Sequence, residues 1–109
     1  MEDRRSEVRM LCADVVDVRW IDGAGKSHST TGLLEDISSS GACLQLEGAA
    51  PLGADICWRS EDHEFQGKVR YCVYREIGYF VGVEFAPGLT WSPGTFEPQH
   101  LLDLKKLLD

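Results

Sequence analysis

The sequence predicts a mainly β domain: six strands in an antiparallel barrel or sandwich, followed by one C-terminal helix. Three observations predict it. Short runs of period-two alternation recur between residues 11 and 85, each bounded by a turn signal. The 109 residues suit one domain with a single core. The end of the chain then switches to helical spacing, with Leu101, Leu104 and Leu108 on one stripe.

Residues 1–10 read as an arm. The first seven are charged or polar apart from Met1, so little holds them to a core, and such termini are ordered only when tied down. Residues 11–109 are the expected barrel and helix. Leu11 to Ile21 is the first strand, with Val16, Val18 and Trp20 on one face and Asp17 and Arg19 on the other. Asp22-Gly23-Ala24-Gly25 turns the chain, and Ser27 to Leu34 returns as the second strand. Ala42, Leu44 and Leu46 share a face of the third strand. The loop Gly48 to Gly53 leads to a fourth, Ala54 to Arg59, around Ile56 and Trp58. Glu61-Asp62 is a turn, and His63 beside it reads as solvated. Glu64 to Tyr74 is the fifth strand, carrying Phe65, Val69, Tyr71 and Val73, and Tyr79 to Phe85 is the sixth. Pro87 to Pro98 is a loop with Trp91 and Phe96 as anchors. Gln99 to Leu108 is the helix, with Pro98 at its start, and its leucines are expected to pack on the barrel.

Composition excludes several function classes. The net charge of −7 argues against sequence-independent binding to nucleic acid polymers, which needs many Lys and Arg contacts to phosphate. It equally argues against docking on an anionic membrane. No apolar run reaches membrane-spanning length, and Met1-Glu2-Asp3-Arg4-Arg5 is too polar to open a secretory signal. Cys12, Cys43, Cys57 and Cys72 show no metal or redox spacing, and free thiols in a cytoplasmic setting are expected. His28, His63 and His100 are scattered, so no metal site, catalytic dyad or enzyme activity is expected. Gly25-Lys26-Ser27 is not a phosphate-binding loop, because Trp20 stands where that motif needs glycine and no helix pattern follows.

Two short motifs remain. Asp36-Ile37-Ser38-Ser39-Ser40-Gly41 has the spacing D-x-S-x-x-G, which by itself is a tight turn in which glycine tolerates positive φ. Arg5 and Arg9 have the spacing R-x-x-x-R, and three of the eleven basic residues lie in the first nine positions. The hairpin of residues 11–37 carries the turn back toward the start of the first strand, and so toward the arginines.

In this order, one hairpin apart and followed by a β-rich chain, the two motifs resemble the signature of the PilZ domain, a bacterial receptor module for cyclic di-GMP. The resemblance covers at least Arg4 to Phe85. It implies a six-stranded antiparallel β-barrel with a C-terminal α-helix, no enzyme activity and no cofactor. It assigns ligand contact to Arg5 and Arg9 and to Asp36, Ser38 and Gly41. The chemistry suits the ligand. A guanidinium fork bonds phosphate, or the O6 and N7 edge of guanine, in bidentate fashion. Asp36 and Ser38 supply acceptors for the N–H edge of guanine, and Gly41 admits close approach. Arg4 extends the first motif to R-R-x-x-x-R, which in similar proteins goes with two stacked ligand molecules per chain. Glu2, Asp3 and Glu7 interleave with the arginines and partly cancel their charge. The expectation is a receptor whose arm closes on the ligand and presents a changed surface to a downstream protein. The alternative is a PilZ-like interaction module that binds no nucleotide.

Overall fold

The structure is a computed structural model that describes residues 10–92 in full and the backbone pairing of Leu102–Asp103. Arg4, Arg5, Arg9, Phe96 and most of the expected helix lie outside the described residues.

Six antiparallel strands form the barrel: β1 (Met10–Ile21), β2 (Ser27–Ile37), β3 (Gly41–Leu46), β4 (Asp55–Ser60), β5 (His63–Arg75) and β6 (Gly78–Phe85). Their order is β2-β3-β6-β5-β4-β1, and a long β1–β2 ladder closes the ring. Closure gives β3 partners on both sides along its length, and β2 partners on both sides from Leu33 to Ile37.

The alternation read from the sequence is the alternation observed. Val16, Val18 and Trp20 point inward along β1, and Ala42, Leu44 and Leu46 do so along β3. Phe65 stacks between Trp58, with ring centroids 4.3 Å apart, and Phe85, at 5.6 Å. Trp91 is buried against the core, as its expected anchoring role requires. Each such large side chain removed from water contributes on the order of 1.5–3 kcal/mol.

Four features differ from expectation. First, β2 runs to Ile37 rather than ending at Leu34, because Ile37 is fully buried and pairs with both Met10 and Ala42. The turn is therefore only Ser38-Ser39-Ser40. Second, a bulge between Val69 and Tyr71 inverts the faces of β5. Phe65 and Val69 point inward, but Tyr71 and Val73 are exposed and Cys72 takes the inward position. Third, His63 opens β5 as a half-buried residue rather than standing in a solvated turn; its Nδ1 is shielded from solvent. Fourth, within the stretch expected as a helix, Leu102–Asp103 forms a short strand, β7, antiparallel to Met10 and Leu11. The free edge of β1 there offers backbone partners that outweigh helical spacing at those two residues.

Among the described residues no helix is long and apolar enough to cross a membrane. All four cysteines are free thiols.

Candidate ligand-binding site

The start of β1 and the end of β2 meet. Met10 pairs with Ile37 and Leu11 with Asp36, so the first described residue lies beside the turn. The adjacency expected from the hairpin is present at the level of the backbone.

The turn is bonded in both directions. The Ser38 N–H donates to the Gly41 carbonyl at 2.8 Å, and the Ser38 hydroxyl donates to the same oxygen at 3.3 Å. The hydroxyl is buried, and its oxygen has acceptor capacity besides the proton it donates. The Ser40 carbonyl accepts from the Phe85 N–H and the Ser39 carbonyl from the Trp91 N–H. The turn is thus clamped to the exit of β6 and to the chain after it.

Gly41 is not in a left-handed conformation; the positive-φ glycines among the described residues are Gly25, Gly53, Gly78 and Gly88. Glycine is needed at position 41 for space. The Val83 carbonyl of β6 lies where a Cβ would stand. The β3–β6 backbone contact by itself demands glycine here, beside the expected role in approach to a ligand.

Beside the turn is a shallow depression of about 60 Å³ on the outer wall of the barrel. Asp36, Ser38 and Gly41 reach it together, so three of the residues singled out in the sequence share one surface. Arg70, Tyr71 and Glu84 complete it, and sequence reasoning did not single them out. Two bulges build its flanks. The bulge between Leu34 and Asp36 lets Ile37 return to the core three residues after Leu34 and re-aims Asp36. The bulge after Val69 turns both Arg70 and Tyr71 outward. The spacing of Leu34 and Ile37 breaks the alternation in the sequence, whereas in β5 the alternation reads on through Val69, Tyr71 and Val73, so nothing local signals that bulge. The Tyr71 ring lies against Gly82, where any Cβ would collide with it. Arg70 Nε donates to Glu84 Oε2 at 2.7 Å.

The surroundings are acidic. Burial, and then the Asp36 charge, raises the Glu35 carboxyl above its ordinary value. The Cys12 thiol is pushed up to about 12, first by burial and then by the charges of Asp14, Asp36 and Glu35. Among the described residues Arg70 is the one cation lining the depression, beside Asp36 and Glu84. Among the described residues no three His, Cys, Asp or Glu converge as a metal site.

Comparison with known proteins follows this geometry. Residues 3–90 match the PilZ domain family. No protein of curated function matches the chain. Among solved structures, the fold is similar to that of the Bacillus subtilis inhibitor of motility, MotI/DgrA. The TM-score is 0.51 at 21% sequence identity, over 78% of this chain and 44% of that one. The chain thus corresponds to less than half the length of that protein, and the likeness is one of fold.

Proposed function

Since the chain belongs to the PilZ domain family, whose members are non-catalytic and generally bind cyclic di-GMP, we propose that it is a receptor for that dinucleotide. The observation that carries the reading is the convergence of Asp36, Ser38 and Gly41 on one depression beside the first residues of β1. In this reading Asp36 and the Ser38 hydroxyl supply acceptors for the N–H edge of a guanine. A family match that begins at residue 3 takes in both arginine positions of the R-x-x-x-R spacing.

The depression is far smaller than the roughly 300–1,000 Å³ typical of small-molecule sites, and its lining carries more acid than base. A dianionic dinucleotide there needs both additional walls and additional cations. Arg9 is bonded directly to Met10, and Arg5 is four residues further out, within reach of the turn. In this reading Arg5 and Arg9 hold the phosphates and a guanine O6/N7 edge, and the arm orders over the ligand. Arg4 accommodates a second, stacked ligand molecule. The closed arm is the surface that a cytoplasmic partner protein reads.

Titration calorimetry of the full chain with cyclic di-GMP, beside Arg5→Ala, tests this. Saturable binding that is lost in the variant supports the receptor, and a ratio of two per chain supports the role of Arg4. No heat with an intact fold overturns it in favour of an interaction module that binds no nucleotide.

A further inference from the structure

β5 outruns its neighbour. β4 pairs with His63 to Lys68, and the last contact on that side is at Val69, whose N–H donates to the Ala54 carbonyl and whose carbonyl accepts from Gly53. From Arg70 to Arg75 the strand is paired through β6 alone among the described residues. Apart from the half-buried Cys72 its side chains are exposed, including Val73 at 43%, Tyr74 at 66% and, in the following turn, Ile77 at 72%. An open edge carrying β-branched and aromatic residues is a template for another strand.

The phase of the free groups follows from the ladder. Val69 points inward and directs its N–H and carbonyl toward β4. Face and hydrogen-bonding side alternate together along a strand. After the bulge Cys72 resumes the inward position, so Cys72 and Tyr74 direct their backbone groups to the open edge.

We propose that this edge pairs with the same edge of a second copy of the chain, antiparallel and two-fold symmetric, centred on Val73. Two antiparallel strands can exchange bonds only where the edge-directed residues of both face each other, which restricts the register to shifts of two. Centring on Val73 sets Cys72 opposite Tyr74 of the second copy, in two reciprocal hydrogen-bonded pairs. It sets Arg70 opposite Glu76 of the second copy, twice by symmetry. It also brings Tyr71 opposite Arg75. The adjacent permitted registers lose the Arg70–Glu76 match, placing Tyr74 or the end of the hairpin opposite Arg70. The charges of the edge are therefore self-complementary in one register. Arg70 holds Glu84 through Nε, and the guanidinium fork retains further donors. The ladder is short, so a weak interface is expected, in the micromolar range rather than obligate.

Sedimentation of the full chain from about 1 to 500 μM is the first test, and a concentration-dependent dimer is expected. Val73→Lys, at an exposed position, sets two like charges at the dyad and is expected to shift dimerisation at least tenfold weaker with the unfolding midpoint retained. Directly opposed residues of a non-hydrogen-bonded pair lie about 4.5 Å apart at Cα, within disulfide range. Val73→Cys is therefore expected to cross-link under mild oxidation much faster than the wild type or Asp62→Cys at the β4–β5 turn. A chain that sediments as a monomer throughout overturns the proposal. So does a dimer indifferent to Val73→Lys, or cross-linking through Asp62→Cys as fast as through Val73→Cys.

Discussion

The carbonyl oxygen of Val83 occupies the space that a side chain on Gly41 would need. Two adjacent backbones approach so closely there that the glycine of the D-x-S-x-x-G turn is a packing residue. A backbone carbonyl held in a ladder on both sides does not yield as a flexible side chain would. Gly41→Ala is expected to destabilise the domain by about 1–3 kcal/mol, the usual range for overpacking. The check is the urea midpoint, which should fall without a change of slope. Loss of ligand binding in that variant would then report a displaced turn rather than a lost ligand contact.

Trp58 is buried among aromatic rings, and its indole N–H has no hydrogen-bond partner among the described residues. An unpaired buried donor carries a penalty of about 1–3 kcal/mol. Trp58→Phe removes that donor while leaving an aromatic ring against Phe65, so the relief offsets part of the lost packing. Phe65→Ala has no such compensation and is expected to cost about 3–5 kcal/mol. Trp58→Phe should cost clearly less in the same denaturation measurement.

At the other end of the β1–β2 hairpin, Asp22 closes the turn. Its carboxylate accepts from the backbone N–H groups of Ala24 and Lys26 and lies 2.8 Å from His28 Nε2. The His28 ring stacks on Trp20. The His28 bond, followed by the Lys26 backbone bond, holds the Asp22 carboxyl below its ordinary value of 3.8. The folded state therefore binds this proton less readily than the unfolded chain. The stabilisation is complete above the ordinary value and is lost as pH falls through the depressed one. Unfolding midpoints measured from pH 6 down to about 2 should fall less steeply below the ordinary carboxylate value in Asp22→Asn than in the wild type. The difference should be larger at low salt, because the group is partly exposed.

The four thiols are expected to react in two classes. Cys12 and Cys43 are buried, whereas Cys57 and Cys72 are partly exposed. Burial and nearby carboxylates keep the Cys12 thiol protonated far above neutral pH, and only the thiolate is nucleophilic. Alkylation of the native protein at pH 7.5, followed by mass mapping, should modify Cys57 and Cys72 first. Cys12 should remain protected until the chain unfolds. Early labelling of Cys12 would mean that the β1–β2 ladder opens at its Met10 end.

The sequence alone determined the alternating elements. The inward faces of β1, β3 and β6 follow from where Val16, Val18, Leu44, Leu46, Val81 and Val83 fall, because side-chain alternation is a local property of an extended chain. The turn at Asp22 to Gly25 was equally legible, since turn chemistry is local too. The family signature likewise stood in the linear spacing of Arg5, Arg9, Asp36, Ser38 and Gly41.

Tertiary structure decided what depends on two strands at once. The bulges at Leu34/Asp36 and Val69/Tyr71 arise where neighbouring registers must be reconciled around a closing barrel. Those bulges brought Arg70 and Tyr71 to the wall beside Asp36 and turned Val73 outward. The same kind of constraint made Gly41 a matter of space against Val83 rather than of φ. It also left the far half of β5 with an open edge, because β4 begins only at Asp55, opposite Lys68, while β5 continues to Arg75. Register, closure and edges are relations between segments far apart in the chain, and no local pattern of residues encodes them.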